Sequence, residues 1–399
     1  MLTVLANTHP SGTLSYKEKD REFIFNYNSD NPISLSMPYR SKSYTYYYHL
    51  HPIFDMNMPE GYLFSLFKNL LIKEHGEMND FLLFKHLSLS IEGYLTYEKE
   101  STQKKKQIDF NLENILNNND ENLFSKLVQR FLNQSAIAGV QPKVLALLHD
   151  KATLSNKEYI IKSFSDEYPH LAENEYFSMR AVQHAGIKTP RFWLSKNKKL
   201  FIIEKFTYQK EHDMFYGFEE FCVLFGLNKE KKYSGSYEQI TKAINKISTN
   251  RQKDLISFFK MTVMNYLLKN GDAHLKNFGI LYKSDMKSRF LAPAYDVVNT
   301  AIYLPHDKPA LTLFGKKIWF NKEGLIKFGT QYCLLDEKSA IKHFETCIEA
   351  IQTIENEIKA YIKTDNSFQK FGEKFLCILQ FSLKKNLNTS YKDISNGIL

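Results

Sequence analysis

Residues 254–269 (DLISFFKMTVMNYLLK) put apolar side chains on almost every face of the helix they predict, and Asn270-Gly271 stops them. A helix without a polar face needs cover on all sides, so this chain must build a core several elements deep around it. The supply is ample. Of 399 residues, 43% are apolar, with 31 Phe and 24 Tyr, and that surface offsets the ordering entropy that would leave a poorer chain disordered. With only 16 Gly and 11 Pro, collagen-like and linker architectures are excluded. At about 150 residues per domain, the length suggests two or three domains.

The chain ahead of that helix changes rhythm along its length. Residues 21–27 alternate, with Phe23, Phe25 and Tyr27 on one face, and 33–37 (ISLSM) alternate again before Pro38; both predict strands. Residues 59–75 and the run from Phe81 to Leu89 read as helices. The polar stretch 98–122, with Lys104, Lys105 and Lys106 adjacent, reads as a linker or exposed excursion and a domain boundary. Beyond it, 143–148 (KVLALL) and 158–164 (EYIIKSF) read as paired strands joined by a polar turn from His149 to Lys157. A helix over 173–185 closes at Gly186, strands follow at 190–194 and 200–206, and the chain is mostly helical thereafter. A small β-rich lobe followed by a larger α-rich lobe is the layout of a protein-kinase-like fold.

The net charge of +9 is weak evidence for nucleic acid, because seven of the 53 cations are Arg and 46 are Lys. Base and phosphate readers favour the planar guanidinium fork. Cys222, Cys333, Cys347 and Cys377 have no CxxC spacing, which argues against a disulfide framework or a zinc site and suits a reducing, cytoplasmic compartment. Met1 to Gly12 lacks the basic start of a signal peptide, and no run reaches the ~18 apolar residues of a membrane helix.

The chemistry gathers at 270–281 (NGDAHLKNFGIL). Asp272 and Asn277 lie five apart between the apolar helix and a short apolar strand, Phe278 to Leu281. Phosphoryl transfer uses this pattern: the Asp orients or deprotonates the attacking hydroxyl, and an Asn five residues on holds a metal ion. Asp296, in LAPAYDVV, supplies the second carboxylate that Mg²⁺ requires. Lys162, in YIIKSF, points inward from an alternating strand, where kinases grip nucleotide phosphates. Its partner is expected from the following helix, with Glu175 preferred to Glu173. A D-x-x-x-x-N pair is common by chance and a strand lysine is usually a surface one; the ordered set of four carries the reading. The Gly-rich loop is missing, since 135–143 (SAIAGVQPK) has one Gly. His274 has no HxxxH partner and reads as a loop stabiliser, while His49 and His51 share a strand face without a metal-ligand pattern.

These segments resemble the HipA-type serine/threonine kinases, the toxins of HipBA-like toxin–antitoxin modules. PISLSMPYR is similar to the family's ISLSLPL, HPIFDMNMPEGYL to its HPFFENLLPEG, and AGVQPKVLALL to its SGAQPKxxL loop. YIIKSF, NEYFSMRAVQHAGIKTP, FIIEKF, NGDAHLKNF and LAPAYDVV match family blocks in order. The resemblance implies an α+β, protein-kinase-like bilobal fold with an N-terminal α/β subdomain. It would comprise an N-terminal subdomain with its linker over 1–122, a kinase N-lobe over 123–206 and a helical C-lobe over 207–399. It implies ATP and Mg²⁺ as cofactors, with Asp272 as catalytic base and Asn277 and Asp296 as metal ligands. Lys162 and Lys143 would hold phosphates, Glu204 and Phe206 would contact adenine, and His274 and Lys276 would support the catalytic motif. The partners implied are a protein substrate, of which glutamyl-tRNA synthetase is the family's example, and a HipB-like helix-turn-helix antitoxin. Operator DNA would be reached through that antitoxin, and growth arrest would be the outcome.

Two other readings compete. NGDAHLKN also resembles the HGDxHxxN motif of aminoglycoside and choline kinases, with Asn270 where they have His; those enzymes lack the PISLSMPYR and MPEGYL segments. A non-catalytic co-repressor subunit fits less well, because every catalytic side chain is present. The family's loop often carries a Ser, three residues before its Gly, that is autophosphorylated; here that position is Ala136, Ala138 also lacks a hydroxyl, and Ser135 is one residue out of register. Thr207 stands where an acidic ribose contact would follow Phe206. Purified protein given ATP and Mg²⁺ is therefore expected to accumulate no phosphate at 135–138. Stoichiometric phospho-Ser135 in a peptide map would contradict this.

Overall fold

The structure, a computed structural model, describes residues 1–58, 68–69, 71–72, 76, 79–88, 91, 93–98, 112–118, 120, 123–134, 152–155, 158–164 and 167–387. They divide into two compact units. The first comprises Met1–Glu173, Pro190–Lys232 and Phe278–Ala292; the second comprises Asn174–Thr189, Tyr233–Asn277 and Pro293–Leu399.

The first unit is built on antiparallel sheets. β1 (Leu2–Ala6), β2 (His9–Lys17), β3 (Glu22–Tyr27), β4 (Tyr44–Tyr47) and β5 (Leu95–Glu98) form one sheet in the order β4-β3-β2-β1-β5. The alternation expected in 21–27 is borne out: Phe23 and Phe25 are buried, and the Phe25 ring meets Tyr27 edge-on at 4.9 Å. Helix α1 (Asp80–Leu87) is capped by the Asn79 side chain, which accepts the Leu82 N–H at 2.9 Å, and buries Phe81, Leu83, Phe84 and Leu87 in this core. Most of the helix expected over 59–75 lies outside the described residues. The polar stretch 98–122 is not wholly an excursion, since Leu112–Asn117 forms α2 with Ile115 buried. α3 follows at Leu123–Gln134.

Residues 33–37 are not a strand. Their alternating serines serve the backbone instead: Ser34 Oγ accepts the N–H groups of Ser36 and Met37 at 3.0 and 3.2 Å. The Glu219 carboxylate accepts the N–H groups of Leu35 and Ser36 at 2.5 and 3.2 Å. Ser and Thr hydroxyls offer the backbone this alternative to a ladder. Glu219 is fully buried, and burial raises its carboxyl above the ordinary range while those bonds and the Tyr282 hydroxyl oppose the rise.

A second sheet has the order β6-β7-β9-β8, from Ala152–Ser155, Tyr159–Ser163, Phe192–Leu194 (β8) and Leu200–Glu204 (β9). The partner of β7 thus comes from the stretch expected to be a turn, and 143–148 lies outside the described residues. The chain after 206 is less helical than expected. β10 (Gly217–Glu220), β11 (Gly279–Tyr282) and β12 (Arg289–Leu291) make a third antiparallel sheet, with β11 buried throughout.

The second unit is helical. α4 (Leu171–His184, its first three residues in the first unit) ends where Gly186 takes φ +67°, the left-handed geometry that glycine adopts at least cost. α5 (Tyr237–Ile247) opens with a capping box between Ser236 and Gln239. α6 (Arg251–Leu267) is the apolar helix, covered by α5, α7 (Lys322–Gln331), α8 (Glu337–Thr364) and α9 (Gln369–Leu387). Phe258, Phe259, Val263, Met264 and Leu267 are completely buried, which is the cover that its composition demanded. Arg180 and His184 of α4 both bind Glu357 of α8, each at 2.6 Å.

Neither His49 nor His51 lies in β4. His51 is buried with Nε2 donating to the Tyr44 carbonyl at 3.2 Å, and burial pulls its pKa from 6.5 down to about 4. The unfolded chain protonates this imidazole first, so stability present above pH 6.5 is lost as the pH falls toward 4. The loss attributable to His51 is roughly 3 kcal/mol. In His51→Asn the fall in thermal midpoint between pH 7 and 4 should be clearly smaller than in the wild type; identical slopes would contradict the assignment.

Candidate active site

The end of α6 sets the loop over 270–277 that carries the candidate site. Asn270 turns back on the helix, with its N–H on the Asn265 carbonyl and its Nδ2 on Asn265 Oδ1, both at 2.9 Å. Its own Oδ1 accepts the Asp272 N–H at 3.2 Å. One asparagine thus closes the helix and begins the loop. A Cβ on Gly271 would lie 1.9 Å from Asp307 Oδ2, so a side chain there would displace that carboxylate from Thr300. The Gly271 N–H donates to Thr300 Oγ1 at 2.7 Å. That hydroxyl in turn contacts the Asp307 carboxylate and, at 3.0 Å, the Lys269 carbonyl.

The loop then makes a tight turn over Leu275–Asn277. Asn277 folds back so that Oδ1 accepts the His274 N–H at 2.9 Å, and its Nδ2 donates to Asp296 Oδ2 at 2.6 Å. Asp296 holds φ +57°, a left-handed geometry uncommon for a residue with a side chain and concentrated at functional sites. Two contacts fix the segment around it. Tyr295 Oη donates to the Lys276 carbonyl at 2.7 Å, and the buried Asn299 exchanges two 2.9 Å bonds with the buried Asn174 of α4.

Asp272 keeps a partly exposed carboxylate, its side chain 42% accessible. Oδ1 accepts the Tyr233 hydroxyl at 2.8 Å and lies 3.9 Å from Nε2 of the buried His274. The second unit therefore brings Asp272, His274, Lys276, Asn277 and Asp296 into one loop cluster. Among the described residues no group of three or more His, Cys, Asp and Glu stands together as a metal set. The candidate donors are the Asp296 carboxylate and the Asn277 amide oxygen, which keeps a second lone pair beyond the one that takes the His274 N–H. Such hard oxygens fit Mg²⁺, which keeps several waters and phosphate oxygens in its shell rather than a full protein cage.

The other expected residues lie in the first unit. Lys162 of β7 is buried, 8% exposed, opposite Phe201 of β9, whose ring centroid is 5.8 Å from Nζ. Alternation in YIIKSF foretold this inward placement. Glu204 is gripped by Arg191 through two bonds of 3.0 and 2.6 Å, and Phe206 meets Phe218 edge-on at 5.3 Å. Glu173 is bound by His170 at 2.7 Å, and Glu175, in the second unit, is buried. Lys143, Ser135, Ala136 and Ala138 lie outside the described residues.

Sequence reasoning missed Tyr233, Thr300, Asp307 and Lys269. Lys269 is buried with Nζ 4.9 Å from the Trp319 ring centroid, and burial lowers its pKa from 10.5 to about 7. No spacing marks these four. Their roles come from what the fold sets beside the loop.

The chain matches the family model of the HipA N-terminal domain over residues 2–98 and that of the HipA-like C-terminal domain over 135–358. It is 30% identical over 184 residues to a Haemophilus influenzae protein named "Putative kinase", covering 42% of this chain and 53% of that one. It is 28% identical over 204 residues to "Putative kinase Y4dM" of Sinorhizobium fredii, covering 45% and 49%. The chain spans about half the length of the curated relatives it matches. Among solved structures it is similar to HipA of Shewanella oneidensis in a complex with HipB and operator DNA, with a TM-score of 0.72, 17% identity and 97% of each chain covered. At that identity the likeness is one of fold, and it gives the α+β kinase-like architecture.

Thr300 is where the loop geometry is most easily tested. Thr300→Val leaves the Gly271 N–H without its acceptor and the Asp307 carboxylate without its hydroxyl, and should cost about 2 kcal/mol in denaturant unfolding. Thr300→Ser should cost much less. Equal loss in both would place the effect in the methyl group and contradict the hydrogen-bond account.

Proposed function

The chain belongs to the HipA family, and from that premise we propose that it is an ATP- and Mg²⁺-dependent protein serine/threonine kinase, the toxin of a toxin–antitoxin module. The carrying observation is the 2.6 Å bond from Asn277 Nδ2 to Asp296 Oδ2, which brings the amide and the second carboxylate together beside the loop that presents Asp272. Bound Mg²⁺·ATP would supply the transferable phosphoryl group.

Every remaining role falls to this chain's own side chains. Asn277 and Asp296 hold the metal. Asp272 accepts the proton of the acceptor hydroxyl and orients its oxygen; its exposure leaves it reachable by a protein side chain, its backbone is tied to Asn270 and its carboxylate stands beside His274. The His274 ring and the Lys276 carbonyl brace the loop, one beside Asp272 and the other through Tyr295. Lys162 and Lys143 bind nucleotide phosphates as point charges. Glu204 and Phe206 contact adenine, with the Glu204 carboxylate held by Arg191.

The protein acts in the cytoplasm on a protein hydroxyl, with glutamyl-tRNA synthetase as the substrate that the family suggests, and so arrests growth. Its partner is a HipB-like helix-turn-helix antitoxin, through which it reaches operator DNA. The complex formed by the Shewanella relative supports this assignment.

The mechanism is tested by Asp272→Asn. Transfer of the γ-phosphate from Mg²⁺·ATP to protein in a lysate of cells lacking this chain should fall by roughly 10²-fold or more, because the proton acceptor is lost. Circular dichroism and thermal midpoint should stay within error of the wild type. Undiminished transfer by a folded variant would refute the assignment, and the lost phosphoprotein band would name the substrate.

A further inference from the structure

The hydroxyl of Tyr233 donates to Asp272 Oδ1 at 2.8 Å, and that oxygen belongs to the carboxylate assigned as the base. Any acceptor hydroxyl must make a bond of this kind to the same carboxylate before it can react. Tyr233 already makes it, with a phenol in place of the acceptor's alcohol.

The surroundings make this contact a movable one on a fixed mount. Two residues along, Gly235 packs against the catalytic loop so closely that a Cβ would lie 2.9 Å from Leu275. The Gly235 carbonyl accepts the Thr312 N–H at 3.2 Å and Thr312 Oγ1 at 3.3 Å, and Ser236 opens α5 with its capping box. The Tyr233 side chain, by contrast, lies at the surface, with the residue 44% exposed and its ring edge-on to His274 at 5.2 Å. Rotation about its side-chain bonds can lift the hydroxyl from Asp272 without disturbing the Gly235 mount.

We propose that Tyr233 guards the base: it occupies Asp272 Oδ1, the oxygen that would activate a hydroxyl, until an acceptor displaces it. The inference rests on Asp272 being the base. A kinase whose base oxygen is unoccupied spends nucleotide on water, the most concentrated hydroxyl present, and keeping water from that oxygen suppresses such side reactions. A phenol suits the task. It donates as an alcohol does, and its rigid ring places the hydroxyl with little loss of side-chain freedom.

The test compares wild type, Tyr233→Phe and Asp272→Asn as full-length protein. Tyr233→Phe keeps the ring and removes only the donor. Phosphate release from Mg²⁺·ATP with no acceptor added should rise roughly three- to tenfold in Tyr233→Phe, the range that one net hydrogen bond at the surface corresponds to. Amide exchange over 235–247 in nucleotide-free protein should stay unchanged in the same variant, because the Gly235 mount does not depend on the hydroxyl. If Asp272→Asn releases phosphate as slowly as buffer while Tyr233→Phe matches the wild type or falls below it, the guard is overturned and the base stands. If Asp272→Asn releases phosphate as fast as wild type, the base assignment itself fails. Quickened exchange over 235–236, which would make the hydroxyl part of the mount, or phosphotyrosine at 233 in wild type incubated with Mg²⁺·ATP, would also overturn the guard, since a guard is displaced and not consumed.

Discussion

One small amide, the side chain of Asn277, joins the two halves of the site. Its carbonyl oxygen closes the catalytic loop on the His274 N–H, and its amino group reaches Asp296, 19 residues further along. Both bonds use the fixed 120° geometry of a planar amide, so loop and carboxylate cannot be re-aimed separately. Aspartate in its place would repel Asp296, and leucine would leave both partners unmet. The φ of +57° at Asp296 costs energy that only a strongly determined surrounding can hold. Those surroundings are the Asn299–Asn174 pair on one side and the Tyr295 hydroxyl on the other.

The bracing then closes on itself within the second unit. Asn174 sits on α4, α4 is clamped to α8 through Glu357, α8 covers α6, and the end of α6 launches the loop through Asn270. Hydrogen bonds among these buried amides are worth more than surface ones, because an unmet partner cannot turn to water. Tyr233, the proposed guard, lies at the surface beside this ring of contacts. Under the proposed reading, a rigidly placed Asn277 and Asp296 beside a displaceable Tyr233 would suit phosphoryl transfer to a large acceptor.

Much of this was legible in local pattern. The apolar helix, the five-residue spacing of Asp272 and Asn277 and the inward Lys162 each need only a few neighbouring residues to be recognised, and each stands where the pattern put it. What escaped was decided at long range. ISLSM alternates like a strand, yet its serines turn the backbone toward Glu219, more than 180 residues away, and no window around 33–37 contains that carboxylate. Ala152–Ser155 was hidden in a polar stretch because a strand of four residues carries little alternation of its own. Tyr233, Thr300 and Asp307 have ordinary neighbours in sequence. Their importance arises from where the packed helices set them.

The central claim is that Asn277 and Asp296 form the seat of the metal–nucleotide complex, and binding of Mn²⁺, the paramagnetic stand-in for Mg²⁺, tests it most directly. Titrated in the presence of a non-hydrolysable ATP analogue, wild-type protein should immobilise Mn²⁺ in its electron paramagnetic resonance spectrum. Asp296→Asn should weaken that binding by roughly tenfold or more, as expected when a hard cation loses its carboxylate. Mn²⁺ held as tightly by Asp296→Asn as by the wild type would contradict the account.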